Sequence, residues 1–430
     1  MHLRLKPQHQ SQSPLEKLYA MIKTVSETEW TPPLVAEEQM RSDDMEQMTP
    51  KQRVRVAMSG GQPDRVPVLP AIWWDHAARV CGTDFLDLLR NFQLLYDVMP
   101  EAARHYGADG IRIWSRYPSR RIEQRGDIHV ELDRRTGVVL GRIDTLGRGN
   151  LLAPPPKPRI ETYEDLVWFM AASPSESGPI IRDKSDLQAL PVPSVENWAA
   201  DMAPVKAMVD HWGDELFVAG ACSGQTVDAL ALYRGGQQAM EDLSDNPHFA
   251  MAIMEKATDI SINRAIAYAQ AGVDALYIGD AWASASLISP TMFREFCLPL
   301  YQKFVRTVLP YGVLIYLHVC GKSTPILELM ADTGVHCIDP LDPLGGVDVA
   351  DAKRRVGQRV ALMGGVNTIT LASGTRDETL QESRTCIRKG AQGGGYILGA
   401  GDMVPRDSPF ENVRAMVQAA QEFGTYPLRF

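Results

Sequence analysis

The chain of 430 residues lacks several features that would narrow its chemistry at once. None of its six cysteines forms a CxxC pair; they stand far apart, at 81, 222, 297, 320, 337 and 386. That scatter excludes a paired-cysteine zinc or redox motif and offers no closely spaced disulfide framework, so reduced thiols in a cytoplasm are the simpler expectation. No apolar run reaches the ~20 residues of a membrane span, and the N-terminus has no apolar core for export. A formal net charge of −9 argues against nucleic-acid or anionic-membrane partners. GxSxG, HExxH, P-loop and GxGxxG signatures are missing from any meaningful context.

What remains is an ordinary globular composition, 45% apolar and 23% charged, with ample chain for a large core. Residues 1–50 differ from the rest, being rich in Gln, Ser, Glu and Met. They hold one amphipathic stretch, Leu15 to Lys23, and read as an extension to a main domain at 51–430. Thr49-Pro50 is a helix-start signal, which makes residues 51–58 the first expected helix.

Beyond it, short apolar runs alternate with longer helical patterns. The runs fall at 66–74, 110–114, 216–222, 275–279, 313–318, 335–339, 360–364 and 395–399. Eight strands separated by helices imply a parallel sheet and a (β/α)8 TIM barrel. A doubly wound sheet competes, but nothing here resembles a dinucleotide fingerprint. The stretch from about 118 to 212 breaks the rhythm. Alternation near Ile128 and Gly137 reads as a β-hairpin insertion after the second strand, followed by a Pro-rich loop at 154–158 and helices.

A barrel places its site on the loops after the strand C-termini. There the sequence sets Trp73, Trp74, Asp75 and His76, then Ser115, Arg116 and Tyr117, then Cys222 to Gln225, then Asp280 and Trp282. Asp339, Asp342, Asn367 and Asp402 follow the later strands. The fifth run ends in His318-Val-Cys320-Gly321. Alternate strand residues share a side, so the imidazole and thiol project together, and a cysteine beside a metal is held as thiolate. Asp402 is the candidate third ligand, since the fifth and eighth strands empty onto the same mouth. Each reading has a plainer counterpart: a buried histidine beside a small apolar cysteine, and a loop-capping aspartate. Asp280 can orient a ligand or accept a substrate proton, or it can cap the segment after it. Arg116 can clamp a carboxylate or phosphate, whereas Arg120, Arg121 and Arg125 read as a solvated basic loop. Trp73, Trp74, Trp114 and Trp282 can wall a cleft or simply pack.

These residues resemble the uroporphyrinogen decarboxylase-like superfamily. The resemblance is carried by Pro63-Asp-Arg-Val-Pro67, Asp280-Ala-Trp-Ala-Ser284, Phe293, Phe296-Cys-Leu-Pro299 and His318-Val-Cys-Gly321. Ile338-Asp-Pro-Leu-Asp342, Leu362-Met-Gly-Gly-Val-Asn367, Gly393 to Leu398 and Pro409 to Val413 extend it over roughly residues 50–425. It implies a (β/α)8 barrel with its cleft at the strand C-termini. True uroporphyrinogen decarboxylases use no metal and carry an arginine cluster after the first strand and an aspartate after the second. Here the first segment lacks the cluster, and the second position reads Arg116, which cannot accept pyrrole N–H groups. The superfamily's methyltransferase branch moves methyl groups between a corrinoid protein and a thiol, on zinc bound by His-x-Cys and a later Cys. This chain looks like that branch at His318 and Cys320 and departs from it at Asp402.

The resemblance therefore implies a zinc-dependent methyltransferase with Zn²⁺ on His318, Cys320 and Asp402. Asp280 and Arg116 would orient substrate, and Trp73, Trp74, Trp114, Tyr117, Cys222, Trp282, Asp339 and Asn367 would surround it. A small-molecule substrate, a corrinoid-carrying partner protein and a homodimer are the associations it suggests. The alternatives are a metal-independent decarboxylase of another carboxylated compound and a non-catalytic binding barrel.

Overall fold

The computed structural model describes residues 47–115, 120–126, 128–135, 137–143, 149–151, 160–171 and 179–429. Strands β1 (Gly110–Ile113), β6 (Phe217–Ala221), β7 (Ala275–Gly279), β8 (Leu314–His318), β9 (Cys337–Leu341), β10 (Ala361–Val366) and β11 (Tyr396–Ala400) form one parallel sheet. Their order in space is their order in the chain. A doubly wound sheet would reverse direction at its first strands, and this one does not.

The sheet closes through residues 66–69. Val68 bridges Leu398 in parallel, the Leu69 N–H donates to Leu398 O at 2.9 Å, and the Asp109 N–H donates to Val68 O at 2.9 Å. That segment joins the first strand to the last and completes the barrel. The strand expected at 66–74 is reduced to this bridge because Pro67 and Pro70 have no N–H to extend a ladder, and Trp74 already opens the helix Trp74–Val80.

Alternation along each strand decides what faces the barrel interior. Phe217, Ala219, Ala275, Leu314, Tyr316, Cys337, Ala361, Met363 and Ile397 form an inner cluster with Tyr277 against it. The helix Pro50–Met58 supplies Val54, Ala57 and Met58 to the same cluster. It plugs the barrel at the N-terminal ends of the strands, and its start carries a capping box between Thr49 and Gln52. The opposite parity (Val218, Leu276, Ile278, Ile315, Leu317, Ile338) packs outward in the larger core shared with the helices. The inward row of Leu314 and Tyr316 continues at His318, two residues beyond Tyr316, and Asp339 comes two beyond Cys337.

A four-residue polar knot ties the plug to the barrel. Asp109, fully buried, accepts hydrogen bonds from Arg53 Nη1 at 2.5 Å, both Arg65 terminal nitrogens at 2.9 Å and the Val68 N–H at 2.8 Å. Arg53 reaches Asp64 as well.

The insertion after β1 is larger than a hairpin. Strands β2 (Arg120–Arg125), β3 (Ile128–Asp133), β4 (Val139–Ile143) and β5 (Gly149–Leu151) make a four-stranded antiparallel sheet. The helices Tyr163–Ala171, Lys184–Ala189, Val195–Ala200 and Ala203–Trp212 then lead back to β6. The stretch Gly149–Leu151 is too short and glycine-led to show alternation, which is why only one hairpin was legible. The amphipathic stretch at 15–23 and the proline-rich loop at 154–158 lie outside the described residues. No helix among the described residues is long and apolar enough to cross a membrane.

Candidate functional site at the barrel mouth

His318 ends β8 pointing inward, and Cys320 sits on the loop two residues on. One ligand atom each from His318, Cys320 and Asp402 lie within 4.8 Å of one another. Asp339, inward-facing on the neighbouring strand, places Oδ2 2.6 Å from His318 Nδ1, both side chains nearly excluded from solvent. That contact orients the ring so that Nε2 faces Asp402, whose Oδ1 is 3.4 Å away. At 3.4 Å the second contact is long for a hydrogen bond, and Asp402 Oδ1 is a buried oxygen with no hydrogen-bond partner among the described residues.

The loop carrying Cys320 is held by close backbone packing. Gly321 has φ +75° and gives its N–H to Asp342 Oδ2 at 2.9 Å. Gly345 lies so near that a Cβ there would stand 1.9 Å from Gly321 O.

Electrostatics bias the cluster. Burial pushes the His318 pKa down, but interactions with Tyr277, Asp339 and Asp402 outweigh it and raise the group well above its usual value. Burial also pushes the Tyr277 phenol up. Burial would lift the Asp402 carboxyl, yet His318 and Arg112 hold it below the usual range.

Arg112 is the residue that sequence reading passed over. It pairs in register with inward-facing Ala219, so it too enters the barrel. Its guanidinium lies 4.0 Å from the Tyr277 ring centroid, 5.1 Å from Trp114 and 5.5 Å from Trp73. Nε and Nη2 have no hydrogen-bond partner among the described residues, so ring faces carry much of its compensation. The alternation that revealed His318 could have revealed Arg112, since both follow small or apolar inward positions.

Asp280, at the end of β7, is fully buried and engaged on both oxygens. Oδ2 accepts from the Thr226 hydroxyl and from Tyr301 Oη at 2.8 Å, and Oδ1 accepts from the Asp228 N–H at 2.8 Å. It therefore fastens the start of the helix Val227–Arg234 rather than facing a ligand. Asp228 is the member of this pair that lines a cavity. Burial and then the Asp280 charge push the Asp228 carboxyl well above the usual carboxylate range. Burial pushes the Asp280 carboxyl up as well, but the donors on its oxygens oppose that shift, so Asp228 is the member of the pair that burial and its neighbour displace further.

That cavity, of about 510 Å³, is bounded by Trp73, Trp74 and Trp114 on the barrel side, and by Trp198 and Arg264 on the other. Trp73 stands edge-on to Trp114 with ring centroids 4.5 Å apart and to Trp74 at 5.8 Å. Its lining does not include His318, Cys320 or Asp402. The two regions adjoin through Arg112 and Tyr277, whose ring is 5.2 Å from His318.

Other expected site residues fall elsewhere. Trp282 is not among the cavity's lining residues; it packs on Gly236, where a Cβ would meet its ring at 2.4 Å. Cys222 is wholly buried, donates to Ser261 O at 3.3 Å, and burial pushes its thiol up to about 11. Asn367 caps the helix Thr368–Ser373 through the Ile369 N–H. His76 is buried between Tyr106 Oη and Arg406 O. Arg121 and Arg125 extend from strand β2 and pair with Glu123. Arg116 and Tyr117 lie outside the described residues.

Known proteins resemble this one at both levels. A methylcobamide:CoM methyltransferase of Methanosarcina barkeri is 36% identical over 176 residues, 40% of this chain and 49% of that protein. A methylated-thiol–coenzyme M methyltransferase of Methanosarcina mazei is 29% identical over 178 residues, 41% of this chain and 46% of the relative. The chain thus spans about half the length of these curated relatives. A uroporphyrinogen decarboxylase of Coxiella burnetii is 29% identical over 269 residues, 57% of this chain and 70% of that enzyme. A solved structure described as a methyltransferase from Methanosarcina mazei superposes with a TM-score of 0.62 at 24% identity. It covers 87% of this chain and 99% of its own, which speaks to the fold. The uroporphyrinogen decarboxylase (URO-D) family pattern matches residues 167–423, more than half of the chain, and the protein belongs to that family.

Proposed function

We propose that this protein is a methyltransferase that passes a methyl group from a corrinoid or a methylated small molecule to a thiol, at a zinc site formed by His318, Cys320 and Asp402. The observation that carries the reading is the convergence of an imidazole, a thiol and a carboxylate within 4.8 Å at the barrel mouth. These three residues would hold the ion and leave a position open for substrate. The donor chemistry fits: the orphaned Asp402 oxygen gains a partner, and thiolate plus carboxylate balance the two charges of the ion. When bound, zinc supplies the Lewis acidity that keeps a thiol as its thiolate.

The chain's own residues do the rest. Asp339 holds the His318 ring with Nε2 toward the other two ligands. Gly321, fastened to Asp342, sets the position of Cys320. Arg112 places a fixed positive charge beside Tyr277, where it opposes protonation of Asp402. The tryptophans wall the adjoining cavity. A corrinoid bound to a separate protein is the methyl carrier that the similar methyltransferases suggest, and a reducing compartment suits a site built on Cys320.

Elemental analysis of the protein purified without chelator tests this. About one zinc per chain is expected in the wild type, and less than a tenth of that in His318→Ala, Cys320→Ala and Asp402→Ala. Folded wild-type protein that contains no metal and refuses added zinc would overturn the proposal in favour of metal-free decarboxylation.

A further inference from the structure

We propose that the cavity beside the barrel mouth is a binding site for a small aromatic carboxylate, its ring against Trp73 and Trp114 and its anionic group on Arg264. This goes beyond the methyl-transfer reading and concerns occupancy alone.

The volume, about 510 Å³, suits a ligand with one or two rings. Its walls are unusually aromatic for their size: Trp73, Trp74, Trp114 and Trp198 all line it, half of the eight tryptophans in the chain. Trp73 and Trp114 are only part buried despite their contact with each other, so ring surface is left to the cavity. Indole faces offer a flat guest stacking and edge contacts that an aliphatic wall cannot.

The polar groups select the guest's charge. Arg264 is the only cation lining the cavity among the described residues, projecting from the long helix Pro247–Gln270. Its guanidinium lies over the Trp198 and Tyr268 rings at 5.6 and 5.7 Å, and Nε has no hydrogen-bond partner among the described residues. Two carboxylates share the lining, and neither offsets that charge directly. Asp201 is engaged by the Tyr163 hydroxyl at 2.5 Å. Asp228 accepts from the Trp282 N–H at 2.9 Å, and burial beside Asp280 favours its neutral form. Arg264 is hydrogen-bonded to Tyr268 but has no ion pair with a carboxylate among the described residues. A guanidinium so placed on an aromatic cavity is matched by a carboxylate, which accepts from two parallel N–H donors. Ser115, Ser223 and Ser261 add hydroxyls for polar ring substituents.

Calorimetry and tryptophan fluorescence on the full chain, with benzoate as probe, test the proposal. Benzamide keeps the ring and loses the charge; cyclohexanecarboxylate keeps the charge and loses the flat ring. Saturable one-to-one benzoate binding is expected, with each comparator at least about tenfold weaker. Arg264→Gln should weaken benzoate at least about tenfold and narrow its advantage over benzamide, while Arg264→Lys restores part of it. Trp73→Leu should weaken both aromatic probes together. Circular dichroism and melting temperature confirm that each variant is folded; if Arg264→Gln is not, the lysine variant and the probe series still decide. No saturable benzoate binding, or equal binding of benzoate and cyclohexanecarboxylate, overturns the proposal. Because no turnover is read, neither result depends on whether the protein transfers methyl groups.

Discussion

Removing the Asp339 carboxylate asks whether the His318 ring is held ready for a metal. Oδ2 lies 2.6 Å from Nδ1, with the side chains 6% and 5% exposed, so this is a charge-assisted hydrogen bond shielded from water. Losing such an outer partner lowers metal affinity by about 10–100-fold, or about 1.4–2.7 kcal/mol. Asp339→Asn keeps an acceptor and loses the charge, so it belongs near the lower figure; Asp339→Ala loses both and belongs near the upper. A second effect opposes the first. The His318 pKa is raised well above 6.5, and Asp339 is among the causes. In metal-free protein that interaction adds stability fully present below pH 6.5 and lost as the pH rises through the raised pKa. Zinc must displace this proton, so wild-type affinity climbs with pH. The Asp339→Ala variant holds the proton less tightly, so its deficit should be larger at pH 8 than at pH 6. Competition against a chromophoric zinc chelator at both pH values measures it. Binding within about twofold of wild type at pH 8 for both variants would show that Asp339 does not orient a ligand.

Asp109→Ala removes the acceptor of four hydrogen bonds at the barrel's closing seam and strands Arg53 and Arg65 beside it. A loss of about 3–5 kcal/mol in urea unfolding is expected, and a loss under 1 kcal/mol would contradict the reading. His336 accepts the Ile315 N–H at 3.0 Å, and burial pushes its pKa down to about 4. Its folded value lies below the unfolded 6.5, so its contribution is present above pH 6.5 and falls away toward pH 4. On the order of 2 kcal/mol should be lost by pH 5, and His336→Gln should flatten that slope in denaturation curves. Gly345→Ala drives a methyl group into Gly321 O, 1.9 Å away, and must displace the Cys320 loop. Zinc affinity in a chelator titration should drop at least about tenfold, whereas unchanged affinity would show that the loop yields freely.

The outcome at individual positions shows what each level of description contributes. Strand spacing, the inward parity of 314, 316 and 318, and the arrival of β8 and β11 at one mouth are local or topological facts, and the chain states them in its apolar periodicity. That sufficed for the barrel and for bringing His318, Cys320 and Asp402 together. The tertiary structure alone decided the rest. Two prolines reduced the first expected strand to a bridge, because a missing N–H matters only where a ladder would use it. Asp280 and Asp228 stand 52 residues apart, and only packing shows which of them is engaged and which opens to a cavity. Arg112 reads as an ordinary strand cation until Tyr277 and Trp73 close around it from two other segments, beside its near neighbour Trp114. Periodicity reports which way a side chain points. What it meets there depends on long-range register and burial, which no local pattern encodes.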